Sequence, residues 1–284
     1  MIHTGRILKF TKMHGLGNDF LVTDSLTQDV VLTPELIRQL SNRHLGIGFD
    51  QLLLVEPPEN PTNDFRYRIF NADGSEVEQC GNGARCFAKY ISEKQFSHKT
   101  NFQVETMKGL ITLTIEKHNE VRVNMGVPIF TPESIPFITT AEKIDYSLII
   151  NDEIFIFGAL SMGNPHAVLQ VEKIDSFAVK DIGLLIQNNV CFPQKVNVGF
   201  MEIQSPSEIK LRVFERGVGE TQACGTGACA AVAYGRMKNL LDEIVRVQLP
   251  GGMLTIEWHG KNQPLYMTGP AETVYEGSVT IPYA

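Results

Sequence analysis

The sequence predicts a mixed α/β (α+β) fold of two homologous, pseudo-symmetric domains, each an antiparallel-rich curved sheet or barrel around one central helix. A cysteine motif occurs twice, as CGNGA from Cys80 and CGTGA from Cys224, 144 residues apart in a chain of 284. Most other segments alternate like strands, and after each cysteine the pattern changes to that of an apolar helix. A chain of this length that repeats one motif is large enough for two domains.

The repeat extends beyond the cysteines and sets the predicted domain boundaries. An Arg stands twelve residues before each cysteine and a Glu four residues before it: Arg68 and Arg212, Glu76 and Glu220. The tetrapeptide LTIE recurs at 113–116 and 254–257, and the order of all matches is preserved. We therefore predict domains at 1–125 and 126–269, with a strand near 270–284 returning to the first domain. We expect the proline-containing stretch 126–140 to connect them.

The individual elements follow from local periodicity. Alternating, β-branched and aromatic residues predict strands at 65–70, 103–107, 110–116, 121–125, 154–157, 167–171, 208–214, 244–249 and 253–258. Segments 83–93 and 227–241 are apolar on nearly every face, as in a helix enclosed by a sheet. Two surface helices are predicted near 34–43 and 176–188.

Composition narrows the class of function. The formal net charge is −7, so no basic excess exists to neutralise the phosphates of a nucleic acid. No secretory signal and no apolar run of membrane-spanning length is present, and we expect a cytoplasmic protein with no membrane partner. Five cysteines without a C-x-x-C pair fit free thiols in a reducing compartment and predict no metal site.

The two motif cysteines are candidates for reactive thiols. Each is expected where a strand gives way to the central helix, where unpaired backbone N–H groups and the helix dipole favour an anion. We expect the pKa of both thiols to fall for this reason. The glycines at the next and third positions leave amides open to a thiolate or a carboxylate. Cys86, Cys191 and Cys229 have no matched partner and are expected in the core.

Two equivalent thiols suit the inversion of a carbon stereocentre. Inversion needs a proton removed from one face of the carbon and another returned to the opposite face. One cysteine must then be a thiolate while its partner is a thiol, and the two titrations are coupled. This chemistry requires no cofactor.

Longer motifs resemble those of the diaminopimelate epimerase family. They are MHGLGNDF (13–20), GFDQL (48–52), FNADGSEVEQCGNGARC (70–86), SMGNPHAV (161–168), VNVGFM (196–201) and ERGVGETQACGTGACA (215–230). The resemblance runs from about residue 8 to about residue 276. It implies an isomerase that interconverts LL- and meso-2,6-diaminopimelate without PLP, in lysine and peptidoglycan synthesis, with its active site between two α/β domains. It also implies that Cys80 is the base towards the LL isomer and Cys224 the base towards the meso isomer.

The resemblance assigns further residues by position. Those matching substrate contacts are Asn18, Gln51, Asn71, Gly81, Asn82, Asn164, Asn197, Glu215, Arg216, Gly225 and Thr226. His166 and Glu215 match residues that assist catalysis, and Tyr275 matches a tyrosine that supports a homodimer. Asparagine suits a substrate with carboxylates and ammonium groups because it both donates and accepts. Arg216 can clamp a distal carboxylate.

Simpler interpretations of the same residues stay open at this stage. Asn18 and Asn164 follow glycines and fit turns, and His166 fits a hydrogen-bonded core histidine. Asp19 and Asp50 are expected to be structural hydrogen-bonding residues. For the whole protein, one alternative is a proline or hydroxyproline racemase of the same fold. Others are a redox protein with a switchable Cys80–Cys224 disulfide and a binding module without chemistry.

Overall fold

The chain folds into two compact units in a computed structural model that describes residues 5–78, 80–117 and 120–282. The first unit holds the described residues up to Val123 and those from Pro270 onward, and the second unit is Asn124–Gly269. The outermost residues of the predicted 1–125 domain and of the predicted 270–284 strand lie outside the described ranges.

The described part of the first unit contains nine strands and two helices. Its elements are β1 (Gly5–Gly15), β2 (Asn18–Asp24), α1 (Pro34–Ser41), β3 (Gln51–Glu56), β4 (Phe65–Asn71), β5 (Glu76–Val77), α2 (Gly81–Glu93), β6 (Asn101–Thr106), β7 (Gly109–Ile115) and β8 (Val121–Asn124). The final strand of the chain, Glu272–Pro282, pairs antiparallel with β1. The order across the sheet is this final strand, then β1, β2, β3, β4, β6, β7 and β8.

The second unit repeats this arrangement. Its elements are β9 (Tyr146–Ile150), β10 (Glu153–Ser161), β11 (Pro165–Gln170), α3 (Val179–Gln187), β12 (Asn197–Ser205), β13 (Glu208–Glu215), β14 (Gly219–Glu220), α4 (Gly225–Met237), β15 (Ile244–Leu249), β16 (Gly252–Trp258) and β17 (Leu265–Gly269). The final strand of the first unit is β18. The order across the second sheet is β9, β10, β11, β12, β13, β15, β16 and β17.

Both sheets are mainly antiparallel, with two parallel pairs each. The parallel pairs are β2–β3 and β4–β6 in the first unit, and β11–β12 and β13–β15 in the second. Parallel neighbours require a crossover connection, and each of these crossovers contains one of the four helices. The predicted fold of two related α+β domains is therefore confirmed.

The central helices α2 and α4 are the most buried elements. The first ten residues of α2 are all buried except Lys89. Helix α4 is buried from Gly227 to Gly235. Helix α2 contacts β1, β2, β3 and β7, so the sheet curves around it. The outer helix α1 packs Ile37 and Leu40 on the other side of the sheet. Each unit thus has an inner helix, a sheet and an outer helix.

The four predicted helices are confirmed with shifted ends. The central helices begin two residues earlier than expected, at Gly81 and Gly225, because the preceding cysteine is itself the N-cap residue. The surface helices are shorter than predicted, at Pro34–Ser41 and Val179–Gln187. The strand pattern did not predict β1, β2, β3, β5, β9, β12, β14 or β17.

A paired Arg and Glu brace the hairpin before each central helix. Arg68 on β4 donates Nε and Nη2 to the two carboxylate oxygens of Glu76 on β5, at 2.8 and 2.7 Å. Arg212 on β13 does the same to Glu220 on β14, at 2.6 and 2.9 Å. Such bidentate pairs fix orientation as well as adding energy.

Among the helices of the described ranges, none is both long and apolar enough to cross a membrane.

Candidate active site

The two motif cysteines occupy the same backbone position in the two units. Cys80 is the N-cap of α2, with φ −142° and ψ 114°, and Cys224 is the N-cap of α4, with φ −119° and ψ 105°. Extended dihedral angles are usual for an N-cap, whose side chain faces the unpaired N–H groups of the first turn. The predicted placement of both sulfurs at helix N-termini is confirmed.

Cys80 is half-exposed, and its sulfur contacts a backbone amide and a side-chain amide. The backbone N–H of Gly83 donates to its sulfur at 3.4 Å, as expected of an N-cap. The thiol also points to the amide oxygen of Asn18, with Sγ and Oδ1 3.8 Å apart. Asn82 donates its side-chain amide to the same oxygen at 3.3 Å. Three residues of the predicted site, Asn18, Cys80 and Asn82, therefore lie together.

Asp50 determines which way the Asn18 amide faces. Asn18 donates Nδ2 to Asp50 Oδ2 at 3.0 Å, and an ionised carboxylate can only accept. The amide oxygen of Asn18 is thereby turned towards Cys80. Arg43 holds the other oxygen of Asp50 at 2.8 Å. Sequence reasoning assigned Asp50 only a structural role, and its position directly before Gln51 in the GFDQL motif was the available signal.

Gln51 and Asn71 form a second pair of predicted site residues in the first unit. They stand opposite each other on β3 and β4, and Gln51 donates Nε2 to Asn71 Oδ1 at 3.0 Å. Asn71 also donates to Ser75 Oγ at 3.2 Å. Gly81 and Asn82 are buried in the first turn of α2. Arg85, which the sequence analysis did not assign, orients Asn82 by donating to its Oδ1 at 3.1 Å.

Cys224 lies in a buried setting next to a carboxylate. Its residue surface is 4% exposed, and Sγ donates to Glu215 Oε2 at 3.0 Å. The hydroxyl of Thr221 donates to the other oxygen, Glu215 Oε1. Thr226 Oγ1 lies 3.6 Å from the sulfur. The sequence analysis identified Glu215 and Thr226 but not Thr221, which lies between them in the same motif.

The protonation of Cys224 differs from the sequence expectation. Burial, followed by the charge and the hydrogen bond of Glu215, raises the pKa of the Cys224 thiol well above its ordinary value. The expected fall in pKa is therefore wrong for this residue. Helix N-terminal amides do favour the thiolate, but burial and a neighbouring carboxylate outweigh them. Cys224 is therefore a thiol at neutral pH, and its S–H donates to Glu215.

His166 belongs to the same hydrogen-bonded chain as Cys224. Its Nε2 lies 3.0 Å from Asn164 Oδ1, and Asn164 donates to Thr226 Oγ1 at 3.3 Å. Burial, with a smaller contribution from the positive charge of Arg216, lowers the pKa of His166 to about 3. The ring is therefore neutral at physiological pH, and it donates Nε2–H to the Asn164 oxygen. Within the described ranges, its buried Nδ1 has no hydrogen-bond partner.

Asn197 and Arg216 are joined through the backbone. Asn197 is buried and donates Nδ2 to the carbonyl oxygen of Pro165 at 3.0 Å. Its Oδ1 accepts from the backbone N–H of Arg216 at 2.8 Å. The guanidinium of Arg216 donates to the carbonyl oxygen of Gln194 at 3.1 Å. These contacts hold the start of β12 beside the end of β13.

The remaining assigned residues lie outside these two groups. Gly225 is buried in the first turn of α4. Tyr275 is partly exposed on β18, with its ring packed edge-on against Phe10. Cys86 and Cys229 are buried and Cys191 is half-buried. Among the described residues, no group of three or more His, Cys, Asp or Glu side chains is arranged to hold a metal ion.

Comparison with known proteins agrees with this geometry. The sequence profile of the family described as "Diaminopimelate epimerase" matches residues 10–131 and 158–274. A relative from Teredinibacter turnerae named diaminopimelate epimerase is 55% identical over 274 residues, covering 96% of this chain and 99% of the relative.

Solved structures of lower identity share the fold. A hydroxyproline epimerase from Agrobacterium vitis superposes with a TM-score of 0.72 at 14% identity, covering 99% of this chain and 95% of the other. A PhzF-family phenazine biosynthesis protein from Bacillus anthracis gives 0.68 at 16% identity, covering 97% and 100%. These two likenesses concern the fold alone. From the profile match and the 55% identical relative, the chain belongs to the diaminopimelate epimerase family.

Proposed function

We propose that the protein is a PLP-independent isomerase that converts LL-2,6-diaminopimelate to the meso isomer and back. The observation that carries this proposal is the occurrence of one cysteine at the N-cap of each central helix in a chain of this family. The 55% identical relative, which this chain matches over nearly the relative's full length, is named diaminopimelate epimerase. The two units would act as the two homologous domains, with Cys80 and Cys224 facing opposite sides of one α-carbon.

In the proposed reaction the proton moves between carbon and sulfur in two balanced steps. The thiolate of Cys80 takes the α-proton of the LL isomer, and the electron pair left on carbon is delocalised into the α-carboxylate. The thiol of Cys224 then donates its proton to the opposite face of the carbon, which inverts the centre. The enzyme ends with Cys80 as thiol and Cys224 as thiolate. The meso-to-LL direction reverses each step.

The surroundings of Cys224 support its role as the acid in the first direction. The Glu215 carboxylate accepts the S–H hydrogen bond, and burial disfavours a second negative charge beside it. Cys80 is half-exposed, and its sulfur contacts the amide oxygen of Asn18 and the backbone N–H of Gly83. Neutral His166 would support the Cys224 side through Asn164 and Thr226.

Substrate recognition in this proposal uses the residues assigned by resemblance. Backbone amides at Gly81–Asn82 and Gly225–Thr226 would bind the α-carboxylate, where charge develops as the proton leaves. Arg216 would bind the distal carboxylate, for which its guanidinium must leave the Gln194 carbonyl. Asn18, Gln51, Asn71, Asn82, Asn164, Asn197 and Glu215 would supply the other donors and acceptors.

The biological setting completes the proposal. We place the enzyme in the cytoplasm, in lysine and peptidoglycan synthesis, where its substrate is a small amino acid and no cofactor is needed. We also propose a homodimer to which Tyr275 on β18 contributes.

Solvent-deuterium exchange tests the function directly. The reduced protein, without added PLP or metal, should incorporate deuterium at the α-carbon of LL-diaminopimelate and produce the meso isomer. The same assay with proline and hydroxyproline should show no exchange. Exchange of proline but not of diaminopimelate would reassign the enzyme as a racemase of this fold. Activity that requires an oxidant would favour a redox role for the two thiols.

A further inference from the structure

Thr221 is the second hydrogen-bond donor to the Glu215 carboxylate, which also accepts from the Cys224 thiol. Its hydroxyl donates to Glu215 Oε1, while the Cys224 thiol donates to Glu215 Oε2. Each oxygen of the carboxylate therefore has its own donor. A carboxylate bound at both oxygens cannot rotate freely about its terminal torsion, which is otherwise broad. Thr221 thus fixes the position of the oxygen that faces the sulfur.

The first unit provides an internal comparison for this pair. At the repeat distance of 144 residues, Glu215 corresponds to Asn71 and Thr221 corresponds to Val77. Asn71 accepts a hydrogen bond from Gln51 and donates one to Ser75. The first unit therefore has an amide and an apolar side chain at the two positions where the second unit has the carboxylate and the hydroxyl that binds it.

The local backbone explains how Thr221 reaches Glu215. Glu215 is the last residue of β13 and pairs with Gly219 on β14 across a tight hairpin. Thr221 follows β14 directly and donates its backbone N–H to Val213 at 3.3 Å. The neighbouring pair of Arg212 and Glu220 closes the same hairpin. The hydroxyl is thereby fixed three residues before Cys224, on the side of the carboxylate away from the sulfur.

We propose that Thr221 is a positioning residue for proton transfer at Cys224, acting through Glu215. It contacts neither the sulfur nor, in the proposed reaction, the substrate. Its hydroxyl holds the carboxylate so that Oε2 accepts the hydrogen bond of the Cys224 thiol, and this cysteine stays the thiol member of the pair. This role deepens the proposed function and rests on it, but the contact itself can be tested without catalysis.

The direct test replaces the hydroxyl with a methyl group in Thr221→Val, the residue type of the other unit. The Cβ chemical shift of isotopically labelled Cys224 is followed against pH in the whole protein. Losing one hydrogen bond loosens the carboxylate, so the thiol should titrate roughly 0.5 to 1 pH unit lower than in the unchanged protein. Thr221→Ser, which keeps the hydroxyl, should restore the original midpoint. Val77→Thr in the first unit is the matched control and should leave Cys224 unchanged.

A double-mutant comparison separates positioning from general structural damage. Thr221→Val should lower kcat about two- to tenfold with little change in KM. In a Glu215→Gln background the same substitution should have no further effect on kcat or on the midpoint of the Cys224 titration. The reason is that the carboxylate through which Thr221 acts is absent. Equal midpoints in Thr221→Val and the unchanged protein would overturn the proposal, as would a full effect in the Glu215→Gln background. If the unchanged protein fails to epimerise diaminopimelate, the titration still decides whether Thr221 acts on Cys224.

Discussion

The Cys80 half and the Cys224 half share a backbone and differ in what surrounds the sulfur. Both cysteines cap a buried helix, and both helices follow a hairpin closed by an Arg–Glu pair. Cys80 is half-exposed and faces an amide oxygen, whereas Cys224 is buried and donates to a carboxylate. The two units thus share the scaffold and differ in the side chains around the sulfur. The proposed reaction, which needs one acid and one base at the same moment, uses this difference.

The corresponding amides Asn18 and Asn164 are held by different groups. Asn18 is oriented by the charged Asp50, whereas its repeat counterpart Asn164 is held by the neutral ring of His166 and the hydroxyl of Thr226. In the first half, the Asp50 carboxylate contacts Asn18, whose amide oxygen faces the Cys80 sulfur. In the second half, the Glu215 carboxylate accepts a hydrogen bond from the Cys224 thiol directly.

Removing either sulfur should give the largest effect. Cys80→Ser and Cys224→Ser should each lower kcat for epimerisation by about 10² to 10⁴-fold, the usual contribution of a positioned acid or base. A serine hydroxyl has a far higher pKa than a thiol and cannot replace the thiolate. The rate is measured from the conversion of LL- to meso-diaminopimelate. Cys191→Ser, at a half-buried cysteine outside both groups, is the control and should keep its activity. Near-normal turnover in either motif variant would exclude the two-base mechanism.

His166 should make the stability of the second unit depend on acid pH. Its pKa is about 3 in the folded chain and about 6.5 when unfolded, so the unfolded state binds the extra proton. The contribution of neutral His166 to the free energy of unfolding is complete above about pH 6.5. It is lost as pH falls from about 6.5 towards 3, by about 1.4 kcal/mol per pH unit. The counterpart in the first unit is the apolar Phe20, which cannot titrate. Denaturant unfolding followed by the fluorescence of Trp258, the only tryptophan of the chain, measures this slope in the second unit.

His166→Gln should reduce this acid dependence, while the exposed His44→Gln should leave it unchanged. An unchanged slope in the His166 variant would show that other groups govern the acid stability of this unit.

Asp50→Asn should have the smallest of the three effects. The variant removes the carboxylate that fixes the Asn18 amide, so its oxygen faces Cys80 for only part of the time. We expect kcat/KM to fall about three- to tenfold, the effect of one hydrogen bond. Asp64→Asn makes the same change at a carboxylate that binds Lys99 and the backbone of Gln103 instead, and should leave kcat/KM unchanged. If both variants retain full activity, Asp50 does not position Asn18 for catalysis.

The sequence was most informative where a local motif determines local structure. The positions of Cys80 and Cys224 at strand-to-helix junctions followed from the change of periodicity after each cysteine. The burial of Cys224 did not, because burial depends on how strands distant in sequence enclose the helix. The hydrogen bond between Asp50 and Asn18 could not be predicted from the sequence either. It depends on the parallel pairing of β2 and β3, which are separated by a crossover through α1.

The path of β18 has a consequence for the order in which the protein is made. This strand pairs with β1 along nearly its whole length, yet the whole second unit lies between the two strands in sequence. The second unit is continuous in sequence and has all its strands before β18 is synthesised. During translation the first unit therefore has an open edge at β1 until β18 is made. Synthesis of β18, and not synthesis of the first half, supplies the partner strand of β1.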